Sequence, residues 1–175
     1  MGTRPGEMAT KLFDLSDPAK PRPILGPLDG ELMRTLETGA FSADGRFLAA
    51  LAQDKSLRVW DTHKDTVTSP AVLTLGQVTG LAISRDARIV ATLERGPAQR
   101  SVRRGNVRLW DVASGRPVSP ARPVPGMFWD WQFDPDSRYL VISTAQGGHT
   151  FGTQIWKLPA PGTGLTEKSE PETAP

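Results

Sequence analysis

The sequence predicts an all-β chain of about three four-stranded antiparallel units followed by a disordered C-terminal tail. Three observations predict it. One pattern recurs three times: an apolar run, a tight turn containing Asp, a second apolar run, and then a strand ending in Trp. With 17 Gly and 16 Pro the chain is rich in turn formers, which suits many short strands joined tightly. No long helix stands out in the sequence.

The first copy has the turn Ser42-Ala43-Asp44-Gly45, continues through Arg46-Phe47-Leu48-Ala49-Ala50, and closes on Leu57-Arg58-Val59-Trp60-Asp61. The second has Ser84-Arg85-Asp86-Ala87, then Arg88-Ile89-Val90-Ala91-Thr92, and closes on Val107-Arg108-Leu109-Trp110-Asp111. The third has Asp134-Pro135-Asp136-Ser137, then Arg138-Tyr139-Leu140-Val141-Ile142, and closes on Gln154-Ile155-Trp156-Lys157-Leu158. Trp60, Trp110 and Trp156 recur at roughly 45 to 50 residues, a little above the usual period of a four-stranded propeller blade.

These motifs resemble the WD-repeat β-propeller family, in which an apolar strand runs into a turn of the Ser-Pro-Asp-Gly type and a later strand ends in Trp-Asp. The likeness spans roughly residues 10–158, with two full Trp-Asp endings. The phrases Asp14-Leu15-Ser16-Asp17-Pro18 and Asp111-Val112-Ala113-Ser114-Gly115 look like the inter-strand turns of bacterial repeat arrays. Such arrays are often the C-terminal sensor or scaffold of a larger signalling protein, such as a serine/threonine kinase or a STAND-type ATPase. The resemblance thus implies a partial propeller that mediates interaction, with no catalysis and no cofactor.

In chain order, residues 1–10 read as a flexible N-terminus. Residues 11–30 read as leftover strands c and d of a preceding blade, with Phe13 where Trp would stand and an outer strand at 23–28 that its prolines confine to an edge. Blade 1 (31–76) is expected to carry strands at 32–41, 47–51, 57–61 and 72–75. Blade 2 (77–125) carries them at 78–83, 89–93, 106–110 and, weakly, 117–124. Blade 3 (126–158) supplies strands a to c at 128–133, 139–143 and 153–158, without a clear fourth. Residues 159–175, rich in Pro, Thr and Glu, read as a disordered tail. Propellers take typically four to eight blades. Self-association or additional blades from a longer parent chain would therefore close the ring, and an open arc would leave apolar end faces exposed.

Composition narrows the function. The chain is 38% hydrophobic and 23% charged, as in ordinary globular domains, and its formal net charge of +2 is far from that of a dedicated nucleic-acid binder. Cys is absent, which excludes disulfides and thiolate metal sites. No run approaches the ~18 apolar residues of a membrane span, and the first residues lack the apolar stretch of a signal peptide. A cytoplasmic address is expected.

The resemblance gives Trp60, Trp110 and Trp156 a structural role within their blades, in a hydrogen-bonded set with a Ser or Thr of strand b, a His before strand a and an Asp in the b–c turn. Asp54 matches that turn Asp, whereas the strand-b position of the first unit falls on Ala50 and no unit has the His. The sets are expected to be incomplete. Asp44, Asp86 and Asp136 sit in the a–b turns, where a short carboxylate accepts backbone N–H bonds. The only histidines, His63 and His149, stand far apart, so no His metal site and no Ser-His-Asp arrangement is expected.

The sharpest candidate for function is the expanded b–c loop of the second unit, 94–105, which carries Arg95, Arg100, Arg103 and Arg104. In the family the b–c loops share the top face, so the third unit's b–c loop, with His149 and Phe151, should lie beside it. Arg offers bidentate bonds to carboxylate or phosphate and Phe an apolar anchor, which points to a protein or peptide partner. The tail residues Glu167, Glu170 and Glu172 could fold back onto these arginines. In Phe128-Trp129-Asp130-Trp131, alternation places Trp129 and Trp131 on one face, with Trp129 at the channel mouth as a further candidate contact.

Overall fold

The computed structural model describes residues 13–23, 36–52, 55–64, 66–70, 72–73, 77–95, 105–146 and 150–160. These residues form strands and turns, with no helix among them. Asp54, Arg100, Arg103, Arg104, His149 and the three tail glutamates lie outside the described residues.

The strands fall into three antiparallel sheets and a short pair. β1 (Phe13–Asp14) pairs with β2 (Arg22–Pro23), Phe13 opposite Pro23. The first sheet runs β3 (Leu36–Phe41), β4 (Phe47–Ala52), β5 (Ser56–Asp61), with β6 (Thr66–Val67) and β7 (Val72–Leu73) both on the outer edge of β5. The second repeats that order: β8 (Gln77–Ile83), β9 (Ile89–Arg95), β10 (Asn106–Asp111), then β11 (Arg116–Pro117) and β12 (Arg122–Pro123) on β10. The third is β13 (Met127–Phe133), β14 (Tyr139–Gln146) and β15 (Thr150–Lys157).

The outer strand d, expected as one piece, is split in two. The cause is local chemistry. Between β6 and β7 the Ser69 hydroxyl takes the place of a backbone partner and accepts the Val59 N–H at 2.8 Å, and Pro70 follows with no N–H to give. Between β11 and β12, Val118 N–H still reaches the Leu109 carbonyl at 2.8 Å before Ser119-Pro120 interrupts the ladder.

Packing between sheets forms two cores. Ala49, Leu51, Leu57 and Val59 of the first sheet meet Leu81, Ile83, Val90 and Trp110 of the second. The opposite face of the second sheet, Ile89, Ala91, Leu93, Val107 and Leu109, meets Phe133, Leu140, Ile142 and Trp156 of the third. Strands b and c of the middle sheet are therefore covered on both sides, which explains why alternation is blurred in the buried run of β9. The inner strand β8 lies against β3 on one side and β13 on the other. The a–b turns continue this stacking: Arg85 Nε lies 3.7 Å from Asp44 Oδ2, and Asp86 N–H reaches Ser137 Oγ at 3.3 Å.

One register position shows where the stack ends. Val59, Leu109 and Ile155 each precede the Trp of their strand, and the first two are 2% and 6% exposed beneath the following sheet. Ile155 is 46% exposed, because no described sheet follows the third.

Candidate partner-binding surface

Each a–b turn is held by a short polar side chain at its first position. Ser42 Oγ accepts the Phe47 N–H and donates to Asp44 Oδ1 at 2.7 Å, and Ser84 Oγ does the same with Ile89 and Asp86. Asp44 and Asp86 in turn accept the N–H groups of Arg46 and Arg88. In the third turn Asp134 takes over, its Oδ1 accepting both Arg138 and Tyr139 N–H at 2.6 Å. Asp136 is left to pair with the Arg138 guanidinium at 2.8 Å. The last turn residue has positive φ in every unit, at Gly45, Ala87 and Ser137.

These bonds set the carboxyls. The Ser42 hydroxyl and the Arg46 N–H hold Asp44 below its ordinary value. Asp61 is held down first by the Arg46 side chain, whose Nε and Nη2 sit 3.2 and 2.9 Å from Oδ2. Burial pushes Asp86 up, but the bonds from Arg88 and Ser84 outweigh it and the net direction is down. Carboxylates fixed in this way are ionised hydrogen-bond acceptors that brace turns, a poor state for proton transfer.

The tryptophans at the ends of the c strands share a position and differ in partners. Trp110 Nε1–H donates to Thr92 Oγ1 at 2.9 Å, Thr92 donates to Glu94 Oε1 at 3.0 Å, and Glu94 holds Arg108 Nε at 3.1 Å. The Arg108 guanidinium lies over the Trp110 ring at 5.5 Å. Register places Ala50 of the first blade where Thr92 stands, opposite Arg58 as Thr92 is opposite Arg108. There the buried Arg58 Nε and Trp60 Nε1 have no hydrogen-bond partner among the described residues. In the third blade Ile142 occupies the position, and Trp156 Nε1–H turns to Gln154 Oε1 at 3.1 Å. The middle blade thus carries a continuous network in which Glu94 supplies the acid and, as expected, no His takes part. The signal for it was Thr92 and Glu94 two residues apart on one face of β9, with Arg108 opposite Thr92.

A second repeated device is a bulge on every inner strand. One residue is inserted between Leu36 and Thr38, between Val78 and Gly80, and between Phe128 and Asp130. In the third blade that residue is Trp129, and an inserted residue breaks the period of two. Trp129 and Trp131 therefore do not share a face. Trp131 packs with Phe128 against the second core, their rings edge to face at 5.1 Å, whereas Trp129 is 57% exposed.

Across the outward side Trp129 meets Phe151, ring centroids 6.1 Å apart and nearly perpendicular. Ala145 lies between the strands that carry them, opposite Met127 on one side and Phe151 on the other, and its small side chain leaves the space. Phe151, expected in a loop, lies in β15, because the β14–β15 ladder continues to Gln146 opposite Thr150. Likewise Glu94 and Arg95 extend β9, Arg95 standing opposite Gln77. The structure therefore brings Trp129 and Phe151 together. The rest of the proposed arginine arm falls outside the described residues.

Among the described residues no group of three or more His, Asp or Glu could hold a metal ion, and no helix is long and apolar enough to cross a membrane. Comparison with known proteins then fixes the fold. The family model "WD domain, G-beta repeat" matches residues 34–61, the stretch that ends on Trp60-Asp61. Among solved structures, the crystal structure of the Cps50 (Swd1) β-propeller domain of Myceliophteria thermophila is similar at a TM-score of 0.50 and 16% identity, over 81% of this chain and 39% of that one.

The chain folds as part of a β-propeller, and its residues 34–61 match a WD repeat. Of the β-propeller domain it matches, the chain spans well under half the length. No curated protein matches the sequence. In propeller terms, β3, β8 and β13 are the inner a strands, and Trp129 and Phe151 stand on the rim where the b–c connections lie.

Proposed function

We propose that this chain is a non-catalytic interaction module that docks a protein or peptide partner on its b–c rim, with Trp129 and Phe151 as the apolar anchor. One observation carries the reading: a bulge turns Trp129 out of the core and into edge-to-face contact with an exposed Phe151. Exposed aromatic pairs fixed by a rigid sheet supply large contact area at small entropy cost, the profile of a binding hot spot. Arg95, Arg100, Arg103 and Arg104, on the neighbouring b–c connection, add bidentate donors for an acidic partner. An address in the cytoplasm accords with a chain free of cysteine.

The test is selection from a displayed peptide library on the intact chain, followed by titration of retained peptides. Trp129→Ala and Phe151→Ala should each weaken binding by about tenfold or more. Replacing the four arginines with Ser should weaken acidic peptides further. Binding unchanged by all of these would discard the rim.

A second reading is favoured by coverage of only 39% of a propeller domain. In it these blades are the C-terminal regulatory part of a larger bacterial signalling protein, a kinase or STAND-type ATPase. An uninterrupted reading frame that joins an enzyme domain to this segment would support it. Nucleic-acid binding through the arginines is weaker, and a steep loss of polyanion affinity with salt would be its signature.

A further inference from the structure

We propose that two copies of this chain join through the outer edges of β15, antiparallel about a two-fold axis at Thr153, so that two three-stranded sheets become one six-stranded sheet. The reasoning starts from the ladder. Leu158 N–H bonds inward to the Arg138 carbonyl at 2.7 Å, so alternation turns the N–H and C=O groups of Phe151, Thr153, Ile155 and Lys157 outward. In the other blades that edge is occupied: Val59 and Leu109, the counterparts of Ile155, bond through their carbonyls to Thr68 and Val118 N–H. On β15 no described strand takes this place, and Phe151 and Ile155 are exposed.

Natural edges of this length are blunted by proline, charge or a covering strand. The outer pieces of blades 1 and 2 carry or adjoin Pro70, Pro117, Pro120 and Pro123. β15 has no proline, and its one charge, Lys157, sits at the end. An open eight-residue edge therefore calls for a strand.

The sequence of β15 fits itself. A two-fold axis at Thr153 sets it opposite Thr153 of the second copy, and residues that sum to the same register fall opposite one another. Phe151 then meets Ile155 of the second copy on the exposed face, twice by symmetry. Gly152 meets Gln154 on the other face. Three of the four residues with outward backbone groups, Phe151, Thr153 and Ile155, become hydrogen-bonded pairs, as an antiparallel ladder requires. Aromatic against β-branched and Thr against Thr are the favoured cross-strand pairs. Among the described residues β1 and β2 pair with each other and not with β15. Closed two-fold pairing also ends the assembly at two, where head-to-tail addition would continue.

Sedimentation velocity over a concentration series tests this on the full chain, whose monomer is 19.0 kDa. The wild type should pass reversibly from that mass to twice it. Thr153→Pro removes an outward N–H only and should stay monomeric with its far-UV circular dichroism unchanged. Phe151→Asp and Ile155→Lys should each weaken dimerisation by about tenfold, and the double variant, with Asp and Lys now opposite each other, should recover it. A wild type that is monomeric at every concentration overturns the proposal. So does growth to larger oligomers, or a double variant no better than the single ones. The charge pair decides the register even if Thr153→Pro fails to fold.

Discussion

Thr92→Val replaces a fully buried hydroxyl by a methyl of nearly the same volume, so it tests the middle blade's polar network with little change in packing. The hydroxyl serves two groups at once, accepting from Trp110 Nε1–H at 2.9 Å and donating to Glu94 at 3.0 Å. Valine leaves the buried indole N–H without an acceptor and takes one bond from the carboxylate. An orphaned buried donor costs about 1–3 kcal/mol, and Glu94 keeps Arg108, so we expect a loss of about 2 kcal/mol. In a chain of this length that is roughly 4–8 °C in Tm. Urea unfolding followed by tryptophan fluorescence gives the value directly, and a cycle with Trp110→Phe isolates the shared bond at about 1 kcal/mol. A Thr92→Val loss below about 0.5 kcal/mol, or a coupling near zero, would refute the network as a source of stability.

Other expectations follow from the same coordinates. Trp60→Phe should cost about 1 kcal/mol less than Trp110→Phe in parallel urea titrations, because only Trp110 has an indole N–H bond to lose. Gly45→Ala meets nothing within 4 Å but sits at φ +72, so calorimetry should show a loss of about 1 kcal/mol from backbone strain alone. Gly105→Ala brings a Cβ to 2.7 Å from the Glu94 carbonyl and should cost more than Gly45→Ala, with exchange protection lost first at the β9 and β10 ends. The depressed carboxyls Asp44, Asp61 and Asp86 contribute stability that is present above the unfolded value near 3.8 and is lost as pH falls through the folded values. Acid titration of Asp61→Asn should accordingly show a shallower fall below about pH 4 than wild type.

The blades were legible because Trp-Asp endings and Asp turns mark the two ends of the hairpins, and burial on both faces of β9 follows from its unbroken apolar run. The face of Trp129 was not. Counting by twos assumes an unbroken ladder, and nothing in Phe128-Trp129-Asp130-Trp131 announces the inserted residue. Only the recurrence of the bulge in three inner strands, visible in the register, shows it to be a fixed part of the unit. The glycines around Phe151 predict a loop, yet the ladder continues through Ala145 opposite Phe151 to Gln146 opposite Thr150. The resemblance places the acid of such a network in the b–c turn, whereas in the middle blade it lies on the strand, where Glu94 meets Thr92 along one face of β9. The split of strand d follows from Ser69-Pro70 and Ser119-Pro120, which hold hydroxyls and prolines where a strand needs N–H donors.

Side-by-side stacking of the blades in chain order is what sets the second blade against the third, which carries Trp129 and Phe151, and the absence of cysteine makes it directly measurable. Paired cysteines at positions 44 and 85, whose native side chains approach to 3.7 Å, should crosslink within one chain under a short reagent. Cysteines at 44 and 136, with a whole blade between them, should not. Efficient 44–136 crosslinking with none between 44 and 85 would contradict the arrangement on which the binding surface depends.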